Sequence, residues 1–485
     1  MKKGFQIFYI IVFFVICALP LLLMSFVKND TMKLEKREQN PLPAYLENGR
    51  LNVNFSDSFE AWLADHIPFR AQLLSAANFL KGELLHAESS NVIVGREGWL
   101  FFNSERDDYL DTNALTDNQI RSIAVVLSLV EENVTSRGGS FTFVPMPNKA
   151  SVYGEYMPAA YRGARENNLT RLMTALKEYG VNFVDMKQVM LNAKAEGKQV
   201  YHRRDSHWNY LGALIGYNAI MDSLGRPHET WLDAPYTVEK SWRGDLDKLL
   251  YPAGGMMDDQ YVFDIPYASF RFTYPGSMQD PKAQLAVYMS DKEAQDMNFS
   301  TKNAARKDGS SLLMIRDSFG RAVLPFFIES YENATFRRSD YPDLVSLKDG
   351  TDLVYEIVER NLTRLLMSTP YMYAPERPAV SAEGLPNVGR ADLRSLQERY
   401  GLRLFGSLPA EAESGDGRIY LRLEQNGKAF TVEAFPVYDA KLMGQSGENG
   451  FSAILAPEIG LAGDYQVTVI AGAAAYDGGT VTVTS

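Results

Sequence analysis

Between residues 89 and 372, short apolar runs of strand length alternate with amphipathic stretches of helical period. That alternation narrows the choice of fold more than any other feature of the chain. "SFTFVPM", "VNFVDM", "SLLMI", "NATFRR" and "DLVYEIV" read as strands, and "DNQIRSIAVVLSLVEENVTSRG", "NNLTRLMTALKEYG", "YLGALIGYNAIMDSLG" and "RAVLPFFIESY" as helices. Strands interleaved with helices imply a mostly parallel sheet covered on both faces, an α/β domain of three layers. "NVIVGREGWLFF" adds a strand–turn–strand unit near its start, and residues 230–300, aromatic and irregular, read as an insertion.

The flanks have a different texture. After a leader of residues 1–4, the chain carries no charge from Phe5 to Val27. At about 1.5 Å per residue that run reaches roughly 34 Å as a helix, against a hydrocarbon core of about 30 Å. It is longer than the apolar part of a signal peptide, so it reads as an uncleaved transmembrane anchor. Its basic leader and the long chain behind it place that chain on the extracytoplasmic side of the cell membrane. Residues 28–88 form a stalk and helical lead-in, with a break expected at Pro68, and 373–388 form a Pro-rich linker. From 389 to 485 the pattern turns to alternation about turns, with Asn426-Gly427 as a hairpin signal, which reads as a β-sandwich. One helix is expected before it, near "RADLRSLQERYG". Tyr420, Tyr438 and Tyr465 could stack on sugars or be ordinary strand residues.

Charge and cysteine content exclude several function classes. A net charge of −11 argues against a nucleic-acid partner. The single cysteine, Cys17, lies in the apolar run, so no disulfide, thiolate nucleophile or cysteine-based zinc site is available to the rest.

With 5 histidines in 485 residues, "RDSHWN" is a conspicuous place for one of them. On an extended segment Asp205 and His207, two apart, share a face. A nucleophile to go with them is offered by "SLLMIRDSFGRAVLPFF", where Ser318 falls at a strand-to-helix turn. A serine there stands above the carboxyl edge of the sheet, where open α/β sheets place their sites. The N–H groups opening the helix can bind a developing oxyanion. His207 would then take the serine proton and Asp205 would hold the imidazole. A metal site built from His202, Asp205 and His207 is disfavoured by the two arginines between them, and no cofactor is implied.

"DSHW" followed by "RDSFG" resembles the alginate O-acetyltransferase-like (AlgX/AlgJ-like) proteins of the SGNH hydrolase superfamily, including the DHHW protein family. "VGREGWLFF", "PNKASVY" and "IVERNL" support the likeness, which covers roughly residues 55–372. It implies an SGNH-hydrolase-like domain with Asp205, His207 and Ser318 as the triad. It also implies a membrane-bound O-acyltransferase partner that supplies the acyl group, and a polysaccharide acceptor. Ser206 departs from the DHHW pattern, and Arg316 stands where the Gly-Asp-Ser block has Gly. Arg316 therefore joins Trp208, Asn148 and Lys149 as candidates for substrate contact. For Trp208 the other reading is core packing, and for Asn148 and Lys149 a polar turn; Glu359-Arg360 reads as a structural ion pair. The function expected is O-acyl transfer, most simply of acetyl, through an acyl-serine. An O-acetylesterase with the same triad, D-alanyl transfer to teichoic acid and a non-catalytic glycan-binding scaffold are the alternatives.

Overall fold

The computed structural model describes residues 2–24, 26, 40–47, 49–80, 91–265, 270–274, 285, 297–340, 342–367, 369–412, 415–438, 449–457 and 462–483. Helix α1 (Lys2–Leu23) is followed by α2 (Phe55–His66) and α3 (Arg70–Phe79), which break on either side of Pro68. Among the described residues no helix is long and apolar enough to cross a membrane, so the expected transmembrane span has no support there. The side chains of Phe5, Ile16, Cys17, Pro20 and Leu21 in α1, residues 25 and 27 of the expected anchor, and residues 28–39, 48 and 81–88 of the expected stalk lie outside the described residues.

A short antiparallel pair, β1 (Val92–Val94) and β2 (Leu100–Phe102), opens the next region. Then come α4 (Asp117–Ser136), β3 (Phe141–Met146), α5 (Lys149–Tyr153), α6 (Asn168–Glu178), α7 (Met186–Ala195) and α8 (Tyr210–Ser223). Helix α4 starts on a capping box of Thr116 and Gln119 and ends before Gly138, whose φ of 79° suits only the left-handed region. The insertion is a hairpin, β4 (Tyr236–Trp242) with β5 (Asp258–Phe263), bracketing α9 (Asp245–Leu250). The chain closes the domain with β6 (Phe270–Tyr274), β7 (Phe299–Asn303), β8 (Ser311–Arg316), α10 (Leu324–Ser330), β9 (Asn333–Arg338) and β10 (Thr351–Val358).

Six of these strands form one sheet in the order β3-β10-β8-β9-β7-β6. The first four are parallel; β7 runs against β9, and β6 runs against β7, so β6 points with the first four. The alternation of side chains along β8 explains the two layers of helix. Leu312 and Met314 point into a core shared with Tyr217 of α8 and Phe327 of α10. Leu313 and Ile315 point into a second core with Ile123 and Leu127 of α4 and Leu172 of α6. "VNFVDM" is the exception, adding only one bridge, Phe183 to Phe143.

The C-terminal region is a single curled sheet instead of two stacked ones. Its strands are β11 (Asn387–Arg390), β12 (Asp392–Glu398), β13 (Gly401–Ser407), β14 (Ile419–Gln425), β15 (Lys428–Val437), β16 (Gly450–Leu455), β17 (Gly463–Ala471) and β18 (Ala474–Val483). They lie in the order β11-β18-β17-β14-β15-β16-β13-β12. β15 makes the bend, pairing with β14 up to Ala434 and with β16 from Phe435. The sheet wraps a core that includes Leu421, Leu423, Val432, Phe451 and Val467. The helix expected near "RADLRSLQERYG" is absent. Its charged residues belong to β11 and to the largely exposed edge strand β12, except Arg399 in the turn that follows. The expected linker is not free either: Ala374 and Arg377 donate backbone N–H groups to Ile454 O and Thr431 O. Tyr465 is buried, and Tyr438 accepts a hydrogen bond from Asn118 Nδ2 of α4 at 3.0 Å.

One lysine ties α5 to the loop ahead of α8. Lys149 is fully buried and its ammonium donates to the carbonyls of Asp205 (2.6 Å), Arg203 (3.1 Å) and His202 (3.3 Å). Burial pushes it down to about 8, against the pull of Glu105, Asp245, Asp205 and Asp258. Between pH 8 and the ordinary lysine value of about 10.4, the unfolded chain holds a proton that the folded chain has lost. Unfolding therefore becomes harder as pH rises through that window. In denaturant titrations the wild type should gain on Lys149→Met from pH 8 to 10, by at most about 1.4 kcal/mol per pH unit. In the core, Phe327→Ala should cost about 3–5 kcal/mol in the same assay, because the ring is fully buried between α8 and the sheet.

Candidate active site

Strand β8 ends at Arg316 and the chain turns at once. Asp317 Oδ1 accepts the Phe319 N–H at 2.8 Å, and its Oδ2 accepts the Val358 N–H of β10 at 2.9 Å. From below, Glu356 Oε2 accepts the N–H groups of Asp317 (3.0 Å) and Gly320 (3.1 Å). Burial, the Asp317 charge and a hydrogen bond to the Asp317 side chain raise Glu356 well above the usual carboxylate range. Gly320 is required by packing, since a Cβ there would sit 2.7 Å from Arg316 Cβ. Two carboxyl groups and a glycine thus fix the half-buried turn that carries Ser318.

The opposite wall is the loop between Tyr201 and α8. His207 Nε2 lies 2.8 Å from Ser318 Oγ, and His207 Nδ1 lies 2.7 Å from Asp205 Oδ1. The same Asp205 oxygen accepts the His207 backbone N–H at 3.0 Å. Burial alone would raise the Asp205 carboxyl; the hydrogen bond and charge of His207, joined by Arg321, overcome it and hold the group well below its usual range. Asp205 is 1% exposed and His207 5%. A hydroxyl, an imidazole and a carboxylate in line at these distances can move a proton from the hydroxyl and store the resulting charge.

The three sequence-derived triad residues are therefore brought together. The four substrate-contact candidates are not brought to the site's open side. Trp208 is 2% exposed, sits in the core and donates its indole N–H to Phe319 O at 3.0 Å. Asn148, 1% exposed, donates to Glu359 through its backbone and to Asp108 through its side chain. Lys149 holds the Asp205 loop from behind. Arg316 folds under the turn and donates to Asp317 O (3.0 Å) and Met297 O (3.2 Å). Glu359 and Arg360 do not pair with each other. Glu359 accepts from Asn148, Ser151 and Asn167, while Arg360 faces Glu105 at 3.8 Å. The helix-opening donors also differ from expectation, because the Phe319 and Gly320 N–H groups are already given to carboxylates. These two N–H groups are therefore not free to receive an oxyanion.

Two residues of the insertion reach the site without having been singled out from sequence. Trp242 Nε1 and the Asp245 backbone N–H both donate to Asp205 Oδ2. The signal available was thin: a tryptophan and a Gly-Asp helix start within an irregular stretch. The ligand atoms of Asp205, His207 and Asp245 lie within 4.8 Å of one another, a spacing that could admit a cation. Hydrogen bonds from Trp242, Ser206 and backbone N–H groups already engage both carboxylates.

Comparison with known proteins agrees with the motif-based resemblance. Residues 92–252 match the family model described as SGNH hydrolase-like domain, acetyltransferase AlgX. A probable alginate O-acetylase AlgJ of Pseudomonas aeruginosa is 26% identical over 215 residues, 43% of this chain and 53% of the relative. Its counterpart in Pseudomonas putida is 26% identical over 145 residues, 30% of this chain and 36% of the relative. The chain thus spans about half the length, or less, of these two curated relatives. A DHHW family protein of known structure from Eubacterium siraeum is 18% identical, with a TM-score of 0.42 over 56% of this chain and 95% of that one. Over residues 92–252, then, the chain is similar to the SGNH hydrolase-like domain of that family model.

Proposed function

We propose that the protein is an extracytoplasmic O-acyltransferase that moves acetyl groups onto hydroxyls of a cell-surface or secreted polysaccharide through an acyl-serine intermediate. The observation that carries this reading is the Asp205–His207–Ser318 relay at 2.7 and 2.8 Å. The AlgX-type domain match, and relatives described as probable alginate O-acetylases, support the choice of acetyl and of a polysaccharide.

Ser318 Oγ attacks the acyl carbonyl of the donor while its proton passes to His207 Nε2. Collapse of the tetrahedral intermediate breaks the bond to the donor oxygen, which leaves with that proton. A glycan hydroxyl then attacks the acyl-serine, gives its proton to His207, and departs as the ester as Ser318 recovers its hydrogen. Asp205 stabilises the imidazolium in both halves. The donor is an acyl group passed on by a membrane-bound O-acyltransferase partner. Attachment to the membrane runs through residues 5–27, and the apolar side chains of α1 support it: Phe8, Tyr9 and Phe14 are more than half exposed, an arrangement soluble surfaces rarely keep.

An esterase would use the same acyl-serine and water in place of the glycan hydroxyl, so intermediate and acceptor need separate tests. Incubation with p-nitrophenyl acetate should add the mass of one acetyl group to the wild type and none to Ser318→Ala, while Asp205→Asn slows the addition about 10²–10⁴-fold. Adding oligosaccharide should divert acetyl from water to sugar; acetate as the sole product would favour the esterase. Labelling of Ser318→Ala equal to wild type would leave only a glycan-binding scaffold. Deleting residues 5–27 should shift the protein from the membrane to the soluble fraction.

A further inference from the structure

Resting on that reading, we propose that the insertion segment Trp242–Asp245 is the positioning element for the triad's acid, fixing Asp205 so that the imidazole keeps one tautomer. A carboxylate turns freely about its last torsion, which has broad, two-fold wells. Asp205 Oδ1 serves His207, so the orientation of the group depends on what holds Oδ2. Two donors do so, Trp242 Nε1 at 2.9 Å and the Asp245 N–H at 3.0 Å. With both oxygens committed, the Nδ1 proton stays toward Asp205 and Nε2 remains the acceptor for the Ser318 hydroxyl.

Each part of the segment is itself held. The Trp242 indole is stacked on the His202 ring at 4.9 Å and 6°, and the Arg321 guanidinium lies 5.7 Å from its centroid on the ring face. Burial pushes His202 down to about 4, so its ring is a neutral stacking partner at pH 7. Gly244 lies against the loop so closely that a Cβ would come 2.1 Å from Arg204 O. The Asp245 carboxylate accepts from Ser206 twice, from N–H at 2.7 Å and from Oγ at 2.6 Å. Two residues on, the Asp247 N–H donates to Arg204 O at 3.1 Å and its carboxylate accepts from Arg204 Nε at 2.6 Å. The segment therefore grips Arg204, Asp205 and Ser206 in succession. The rest of β4 is exposed from Tyr236 to Ser241, and at its Trp242 end the strand meets the Asp205 loop.

Trp242→Phe keeps the stacking ring and removes the donor, and Asp245→Ala releases Ser206. In the full-length protein each should retain the wild-type unfolding midpoint within a few degrees. Trp242→Phe should lose the downfield proton resonance of His207 Nδ1–H and lower kcat for p-nitrophenyl acetate about ten- to a hundredfold, with KM within about twofold. Asp245→Ala should do the same to a smaller degree, and it decides the matter should Trp242→Phe not fold. A folded Trp242→Phe with resonance and kcat both unchanged overturns the proposal. The resonance needs no turnover, so it judges the clamp even if Ser318→Ala were to retain full activity, an outcome that would instead sink the acyl-serine reading.

Discussion

The hydrogen bond between His207 Nε2 and Ser318 Oγ joins two segments 111 residues apart, and most of the unusual features of the fold serve its 2.8 Å. One end is a turn pinned by Asp317 and Glu356. The other is a loop drawn in by the buried Lys149 from behind and by Trp242 and Asp245 from the front. Buried charges are costly unless paired or hydrogen-bonded, and Lys149, Glu356 and Asp205 are all buried. Their partners lie on different elements, so the site assembles only when the sheet, α5 and the insertion are all in place.

Much of this was legible in the sequence, for a local reason. Strands buried on both faces read as continuous apolar runs, so β3, β8 and β10 stand out, and a serine after such a strand is visible as a turn residue. Asp205 and His207 were paired by the rule that residues two apart share a face. The same rule puts Trp208 on the other side, where it is found in the core, and adjacency in sequence was no guide to facing substrate. Asn148, Lys149 and Arg316 were misread for a related reason: polar residues beside a site need not open onto it, and these three hold backbone and loops. Trp242 and Asp245 left almost no trace, because their partner lies 37 and 40 residues away and nothing local marks the pairing.

The C-terminal region shows where pattern reading weakens. Alternation about Asn426-Gly427 identified the β14–β15 hairpin, whose turn has positive φ at both residues. Edge strands exposed on both faces carry charges at spacings that mimic a helix, as β12 does. Whether strands make one curled sheet or two stacked ones is settled by a single strand, β15, changing partners midway. This sheet is bound to the domain beside it, with Phe435 packed under α4 and Arg377 paired with both Glu132 and Glu433.

The central claim is that Ser318 is a nucleophile activated by His207. A crystal structure of the protein treated with phenylmethylsulfonyl fluoride tests it most directly. A nucleophilic Ser318 gives density continuous with its Oγ, the His207 ring still bonded to Asp205, and no adduct elsewhere. An unreacted Ser318 with the imidazole turned away from it would show that His207 does not activate it.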